Sequence, residues 1–339
     1  MHSKLPAAQL GGQRDNLDVL VVLGSLDFEL NRTSNGSKQR VVTAHADGHS
    51  AAAELRDSHD NITRVWQDGA LVEDHMPAEA NEAAPADWPL TLARVYEFAT
   101  TAPLEEISFI LEAARMNRQG AEEGLSSQYG LGVGKSMDAR VRKHILSDDL
   151  PTFAIRLTAA AADARMAGVM MPVMSNSGSG NQGITCSVPL IEYAKELHSG
   201  KEKLYRALII SNLVAIHEKT GIGTLSAYCG AVSAGAGAGA GIVYLCGDGY
   251  QAAIHTVVNA LAIVSGIVCD GAKASCAAKI ASSVDAALLG YNMYKCHQEF
   301  KGGDGIVMKD IETTIKGIGR LGKDGMKETN EEIIRLMIE

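Results

Sequence analysis

Residues 220–247, TGIGTLSAYCGAVSAGAGAGAGIVYLCG, carry no charged side chain, and beyond Asp248 residues 249–269 carry none either. Each run is long enough to cross a bilayer, which takes about 20 apolar residues. The composition argues otherwise. The first run is mostly Gly, Ala and Ser rather than Leu, Ile and Phe, and the second holds Gln251, His255 and Asn259. Such runs suit a pair of helices buried on every side, where small residues let neighbouring backbones approach closely. Helices of that kind need a large surrounding domain of other helices, and no membrane.

The chain can supply one. Its 339 residues favour two domains by length. Residues 16–72 alternate apolar and polar side chains in short runs punctuated by NGS and DGH, which predicts a small antiparallel sheet accompanied by a helix. Residues 73–89 are rich in Ala, Pro and acid and read as a linker. From Leu90 the spacing becomes helical over residues 89–102, 104–124, 150–168 and 202–221, with apolar side chains three and four apart. The tail predicts two surface helices, over residues 307–322 and 326–339. The expected fold is α+β, with a small antiparallel β/α domain over residues 1–86. A large, mostly helical domain with buried Gly/Ala-rich helices follows over residues 87–339.

A net charge of −9 without a Lys/Arg cluster excludes the basic footprint that nucleic acid requires. The opening MHSKLPAAQLGG has no long apolar core, and six scattered cysteines do not make a disulfide framework, so a reducing cytoplasm is expected.

Residues 173–190, VMSNSGSGNQGITCSVPL, set Gly178, Gly180 and Gly183 in the spacing G-x-G-x-x-G. A dinucleotide fold needs a strand before such a loop and an acid about 20 residues on, at a strand end. Glu202 is near that distance but opens a helix-like run. A pyridoxal-phosphate enzyme would need a Schiff-base lysine upstream, and Lys135 is distant. Two readings stay open. Successive Gly and Ser residues ahead of a helix starting near Ile184 expose backbone N–H groups that attract carboxylate or phosphate. The same residues also make an ordinary helix entry with Ser and Asn caps.

Cys229, Cys269 and Cys276 are separated by thirty-nine and then six residues, within or beside the Gly/Ala-rich segment. Buried cysteines are ordinarily small hydrophobes, and three of them do not compel a metal. Taken together, SNSGSGNQGI, these cysteines and the tail GDGIVMKDIETTIKGIGRLGKDGM resemble the L-cysteine desulfidase family, whose catalytic region is related to the alpha chain of iron–sulfur L-serine dehydratases. The likeness runs from about residue 5 to the end, with its motifs in the same order.

The resemblance implies a [4Fe-4S] cluster on Cys229, Cys269 and Cys276. Three ligands on a four-iron cubane leave one iron open as a Lewis acid. It also implies that Ser175, Asn176, Ser177, Gly178, Ser179, Gly180 and Asn181 hold a small amino-acid substrate. The reaction would be β-elimination of L-cysteine to pyruvate, ammonia and sulfide, and the resemblance favours cysteine over serine. Cys186, Cys246 and Cys296 fall outside the pattern and are expected in the core. A homodimer is one allowed assembly.

The family pattern begins with a segment whose Cys, followed by a Thr-Glu-Pro-like stretch, supplies a catalytic thiol. No cysteine precedes Cys186 here, so a shortened chain with slow turnover is expected, and the base is unassigned. His217, His255 and Lys273 are the candidates for it. The family's Thr-His-Thr-Asn is SHDN here, with Asp60 beside His59, which weakens a substrate-facing role for His59. The rival readings are an L-serine dehydratase, a non-catalytic remnant, and a zinc site on the same three thiols.

Overall fold

The computed structural model describes residues 27–31, 39–46, 48–56, 62–75, 90–223 and 226–338. The chain divides between Ala86 and Asp87 into two compact units, and the architecture is α+β. The first unit is a meander of five antiparallel strands in sequence order: β1 (Asp27–Asn31), β2 (Gln39–Ala46), β3 (His49–Arg56), β4 (Ile62–Gln67) and β5 (Ala70–Asp74). The β4–β5 turn is tight because Asp68 and Gly69 both take positive φ, at 48° and 79°. β5 occupies the start of the expected linker, and its residues are all exposed. Among the described residues this unit contains no helix.

The second unit is helical, from α1 (Leu92–Thr101), α2 (Leu104–Ile107), α3 (Ile110–Ser126), α4 (Val133–Arg142) and α5 (Leu150–Met166) to α6 (Gly180–Glu196) and α7 (Lys201–Ile222). There follow α8 (Gly230–Cys246), α9 (Tyr250–Ile263), α10 (Cys276–Lys295) and α11 (Ile311–Arg320), which passes through a π turn into α12 (Lys327–Ile338). The single helix expected over 104–124 is broken at Ser108 and Phe109, where bonds from Leu111 N to Ser108 O and from Glu112 N to Phe109 O tighten the chain by one residue. α6 starts at Gly180, a turn earlier than expected, because the Ser179 hydroxyl accepts from Gln182 N. α4 has no counterpart in the sequence reading; its glycine-rich start hides the helical period.

α8 is the axis of this unit, with α6, α7, α9 and α10 packed around it. Its glycines explain how. A Cβ on Gly237 would stand 2.4 Å from the carbonyl oxygen of Ser211 in α7, and one on Gly235 would stand 2.6 Å from that of Ser283 in α10. Two residues along a helix turn by about 200°, so the alternate glycines admit backbone neighbours on opposite sides. The Gly/Ala-rich core of the charge-free run is thus a helix, α8, with its middle enclosed on all faces. Among the described residues no helix is long and apolar enough to cross a membrane.

α11 departs from the surface helix expected. Ile311, Ile315 and Ile318 are buried at helical spacing against α7, and Asp310 and Thr313 close a capping box at its start. Cys246 and Cys296 are likewise not core residues. They lie exposed where α8 and α10 end and the chain turns away, whereas Cys186 is buried.

Candidate active site

The loop before α6 is shaped by positive φ at Ser177 (50°) and Gly178 (78°). Asn176 and Ser179 exchange backbone hydrogen bonds of 3.1 and 3.0 Å, closing the turn. Asn176 is buried and anchors it, its amide donating to the carbonyl and to Oδ1 of Asn212 in α7, while the Ser177 hydroxyl donates to Asn176 Oδ1 at 2.9 Å. Upstream, Asn117 of α3 accepts from Met174 N at 2.9 Å and donates to Ser187 Oγ at 3.0 Å. Gly183 is a packing residue, since a Cβ there would lie 1.9 Å from Met174 O.

That scaffold leaves polar groups at the head of α6. The backbone N–H groups of Gly180 and Asn181 have no acceptor among the described residues. Asn181 and Gln182 are 9% and 5% exposed, and Asn181 Oδ1 and Gln182 Oε1 have no hydrogen-bond partner. Buried polar atoms are ordinarily paired, so an unpaired set at a helix N-terminus marks a place built for something polar.

The cysteines arrive from two separate turns. Tyr228 and Val268 form an antiparallel bridge, flanked by bonds from Cys229 N to Ile267 O (3.2 Å) and from Cys269 N to Ala227 O (2.6 Å). The pairing sets Cys229, the N-cap of α8, against Cys269, so that each thiol governs the other's charge. The neighbouring Cys229 thiol pulls the Cys269 thiol down to about 6, with Lys279 and Lys219 adding positive potential, while Cys269 and burial push Cys229 up. Of the two, Cys269 is the one favoured toward ionisation. Cys276 opens α10, its Sγ directed to Gly271 O at 3.5 Å, and beside it Ser275 Oγ is buried without a partner.

Two contacts join loop and cysteines. A Cβ on Gly230, the residue after Cys229, would lie 2.5 Å from Gln182 Nε2. Arg165, in the last turn of α5, lies over Gly180, and Cys276 acts electrostatically on it. The N-termini of α6, α8 and α10 therefore border one region, and helix N-termini favour anions.

Among the described residues no three His, Cys, Asp or Glu side chains converge closely enough to hold one metal ion. A cubane asks for something looser, because each thiolate binds a different iron. Cys229 and Cys269 are brought side by side by the Tyr228–Val268 bridge, while Cys276 comes from the start of α10.

The other candidates are engaged elsewhere. His217 Nε2 lies 2.8 Å from Glu312 Oε2, and Glu312 Oε1 accepts from Leu92 N, so that imidazole helps tie α7 to α11 and α1. His255 pairs with Glu299 at 2.6 Å and stacks on Tyr294. Lys273 is exposed, and His59 lies outside the described residues. The 500 Å³ groove lined by Arg115, Arg118, Lys195 and Lys201 reaches the opposite end of α6, about 25 Å along its axis. Its Arg118 and Lys195 are paired with Glu192.

Three residues escaped the sequence reading. Arg165 is the lone base closing an Ala-rich helix, Asn117 interrupts the buried stripe of α3, and Glu218 is a carboxylate on the buried side of α7. A polar residue at a position where the period demands an apolar one was the available signal. Glu218 is 1% exposed, and neither of its oxygens has a well-formed hydrogen bond among the described residues, although Ser233 lies beside it. Burial pushes its carboxyl well above the usual range.

This fold and these residues have relatives. The model of the serine dehydratase alpha chain family matches residues 37–335, and the chain belongs to that family. It is 48% identical over 298 residues to a UPF0597 protein of Oleidesulfovibrio alaskensis, covering 88% of this chain and 70% of the relative. A UPF0597 protein of Desulfitobacterium hafniense is 49% identical over 300 residues (88% and 68%). One of Phocaeicola vulgatus is 38% identical over 338 residues (97% and 78%).

Proposed function

We propose that the protein is an L-cysteine desulfidase-like lyase, eliminating the β-thiol of L-cysteine to give pyruvate, ammonia and sulfide. L-serine dehydration at the same groups is the second reading. The observation that carries the proposal is the pairing of the Cys229 and Cys269 segments through the Tyr228–Val268 bridge, beside the first turn of α6, where Gln182 packs on Gly230. Held by Cys229, Cys269 and Cys276, a [4Fe-4S] cluster would supply an open iron, a Lewis acid toward departing sulfur or oxygen.

The chain's own groups do the rest. The N–H groups of Gly180 and Asn181 face an anion, and Asn181 Oδ1 offers an acceptor to an ammonium group. Ser175, Ser177, Gly178 and Ser179 form the turn that holds these groups in place. Lys279 and Lys219 offset thiolate charge at the Cys229–Cys269 pair. With His217 and His255 each held by a carboxylate, the base that takes the Cα proton is left unassigned. The same reading has the protein at work in the cytoplasm, where its six free cysteines stay reduced, with a homodimer as the assembly to test.

Anaerobic reconstitution followed by iron and acid-labile sulfide analysis, then assay of pyruvate and sulfide from L-cysteine and of pyruvate from L-serine, decides the matter. One cluster per chain with sulfide release is the expected result. A colourless protein holding one zinc, or a yellow one reduced by borohydride, overturns it.

A further inference from the structure

Arg165 is half-buried, yet no hydrogen bond or ion pair engages its guanidinium among the described residues. Its position is specific. A Cβ on Gly180 would stand 2.4 Å from Arg165 Nε and 3.0 Å from Cζ, and 2.9 Å from Val173 Cγ1. Only a glycine at the first position of α6 lets the guanidinium lie there. The helix bearing it is fixed close by, because Asp163, two residues earlier and 1% exposed, accepts from Gly134 N at the start of α4.

A half-buried cation without an anion still carries a desolvation cost that nothing offsets. Two partners are on hand. One is Cys276, whose ionised thiol would act on Arg165. The other is whatever occupies the head of α6, where the free N–H groups of Gly180 and Asn181 gather beside the guanidinium, with Asn181 Oδ1 unpartnered nearby. The other two cysteines have cations of their own, for Lys279 acts on Cys229 and Cys269, and Lys219 on Cys269. What sets Arg165 apart is its contact with the loop. A planar guanidinium takes a carboxylate through two parallel N–H bonds, a geometry lysine cannot reproduce. N–H donors and an unpartnered amide oxygen in the same turn match the carboxylate and ammonium groups of an α-amino acid.

We propose that Arg165 is the carboxylate anchor of the site, binding the α-carboxylate of the amino-acid substrate together with the N–H groups of Gly180 and Asn181. The inference rests on the reading of the site as that of an amino-acid lyase. It makes Arg165 the residue that selects free amino acids over their amides and over amines without a carboxylate.

The test uses L-alanine, which has no β leaving group, and L-alaninamide as calorimetric probes of the anaerobic cluster-loaded protein. Iron, sulfide and thermal unfolding are measured on the same samples. The unsubstituted protein is expected to prefer L-alanine by at least tenfold. Arg165→Met should bind both probes equally weakly with iron and sulfide unchanged, and Arg165→Lys should recover part of the preference. If Arg165→Met retains the preference, the anchor lies elsewhere and the lyase reading stands. Loss of iron and sulfide in both variants would instead make Arg165 a counter-charge to Cys276, overturning the proposal. Equal affinity of the unsubstituted protein for the two probes also overturns it, and failure to bind either one brings down the lyase reading as well.

Discussion

The side-chain amide of Gln182 lies over the bare Cα of Gly230, so that the first turn of α6 and the first turn of α8 touch through a glycine. Gln182 lies in the first turn of α6, just after the glycine-rich loop, and Gly230 follows Cys229. The distance between the two halves of the site is thus set by a residue without a side chain.

Substituting that glycine should change function more than stability. In Gly230→Ala the new Cβ displaces the Gln182 amide, the far end of a flexible side chain, so unfolding by urea should show a loss of about 1–3 kcal/mol or less. Turnover of L-cysteine should fall by as much as about 10²-fold, since small displacements at a reacting centre are amplified in rate. Unchanged kcat/KM would show that the contact plays no part in aligning the site.

The core of the helical unit tests differently. Gly237→Ala drives a Cβ to 2.4 Å from the Ser211 carbonyl, which is backbone and cannot swing aside. Overpacking of this kind costs about 1–3 kcal/mol, occasionally more. Gly249→Ala, exposed and with nothing within 4 Å of its Cβ, should stay within about 0.5 kcal/mol. Equal melting temperatures for the two variants would contradict the close crossing of α7 and α8.

Glu218 gives a pH dependence with a definite sign. Burial raises its native pKa, while the unfolded chain titrates at about 4.3. Between those two values the native state keeps a proton that the unfolded chain has lost, so stability falls as pH rises, by up to about 1.4 kcal/mol per unit. Glu218→Gln should therefore flatten the decline between pH 5 and 8 and gain most over the parent at pH 8. Urea titrations across that range measure it; parallel curves would mean that Glu218 is ionised in the fold.

For the thiol pair, metal-free reduced protein should alkylate at Cys269 with a pH midpoint near 6. Thiolates, not thiols, are the nucleophiles. In Cys229→Ala the neighbouring thiol is gone, and the midpoint should climb toward the ordinary thiol value of about 8.5. Peptide mapping after iodoacetamide reads both, and an unmoved midpoint would show that the Cys229 thiol is not what holds Cys269 ionised.

The cluster assignment separates the cysteines directly. Cys269→Ser and Cys276→Ser should lose iron and acid-labile sulfide after anaerobic reconstitution, because a hydroxyl is a poor ligand for soft iron. Cys246→Ser, at the exposed end of α8, should keep both. Full iron content in all three variants is the outcome that excludes the assignment.

The sequence by itself determined the enclosed helix and the fold class. Absence of charge over residues 220–247 and a composition of small residues are local facts, and a helix of that make can be stable in water only when surrounded. Strand and helix periods are local in the same way, which is why the small antiparallel sheet, α1, α5 and α7 were legible. The loop and the three cysteines could be singled out, but not joined. Tertiary structure alone decided that Tyr228 pairs with Val268, bringing Cys229 to Cys269. It alone set Arg165 over Gly180 and gave His217 and His255 to Glu312 and Glu299. Those contacts join residues far apart along the chain or in separate elements, and no period in a sequence records them. They arise from how helices pack once their apolar faces are buried, and there the site is assembled.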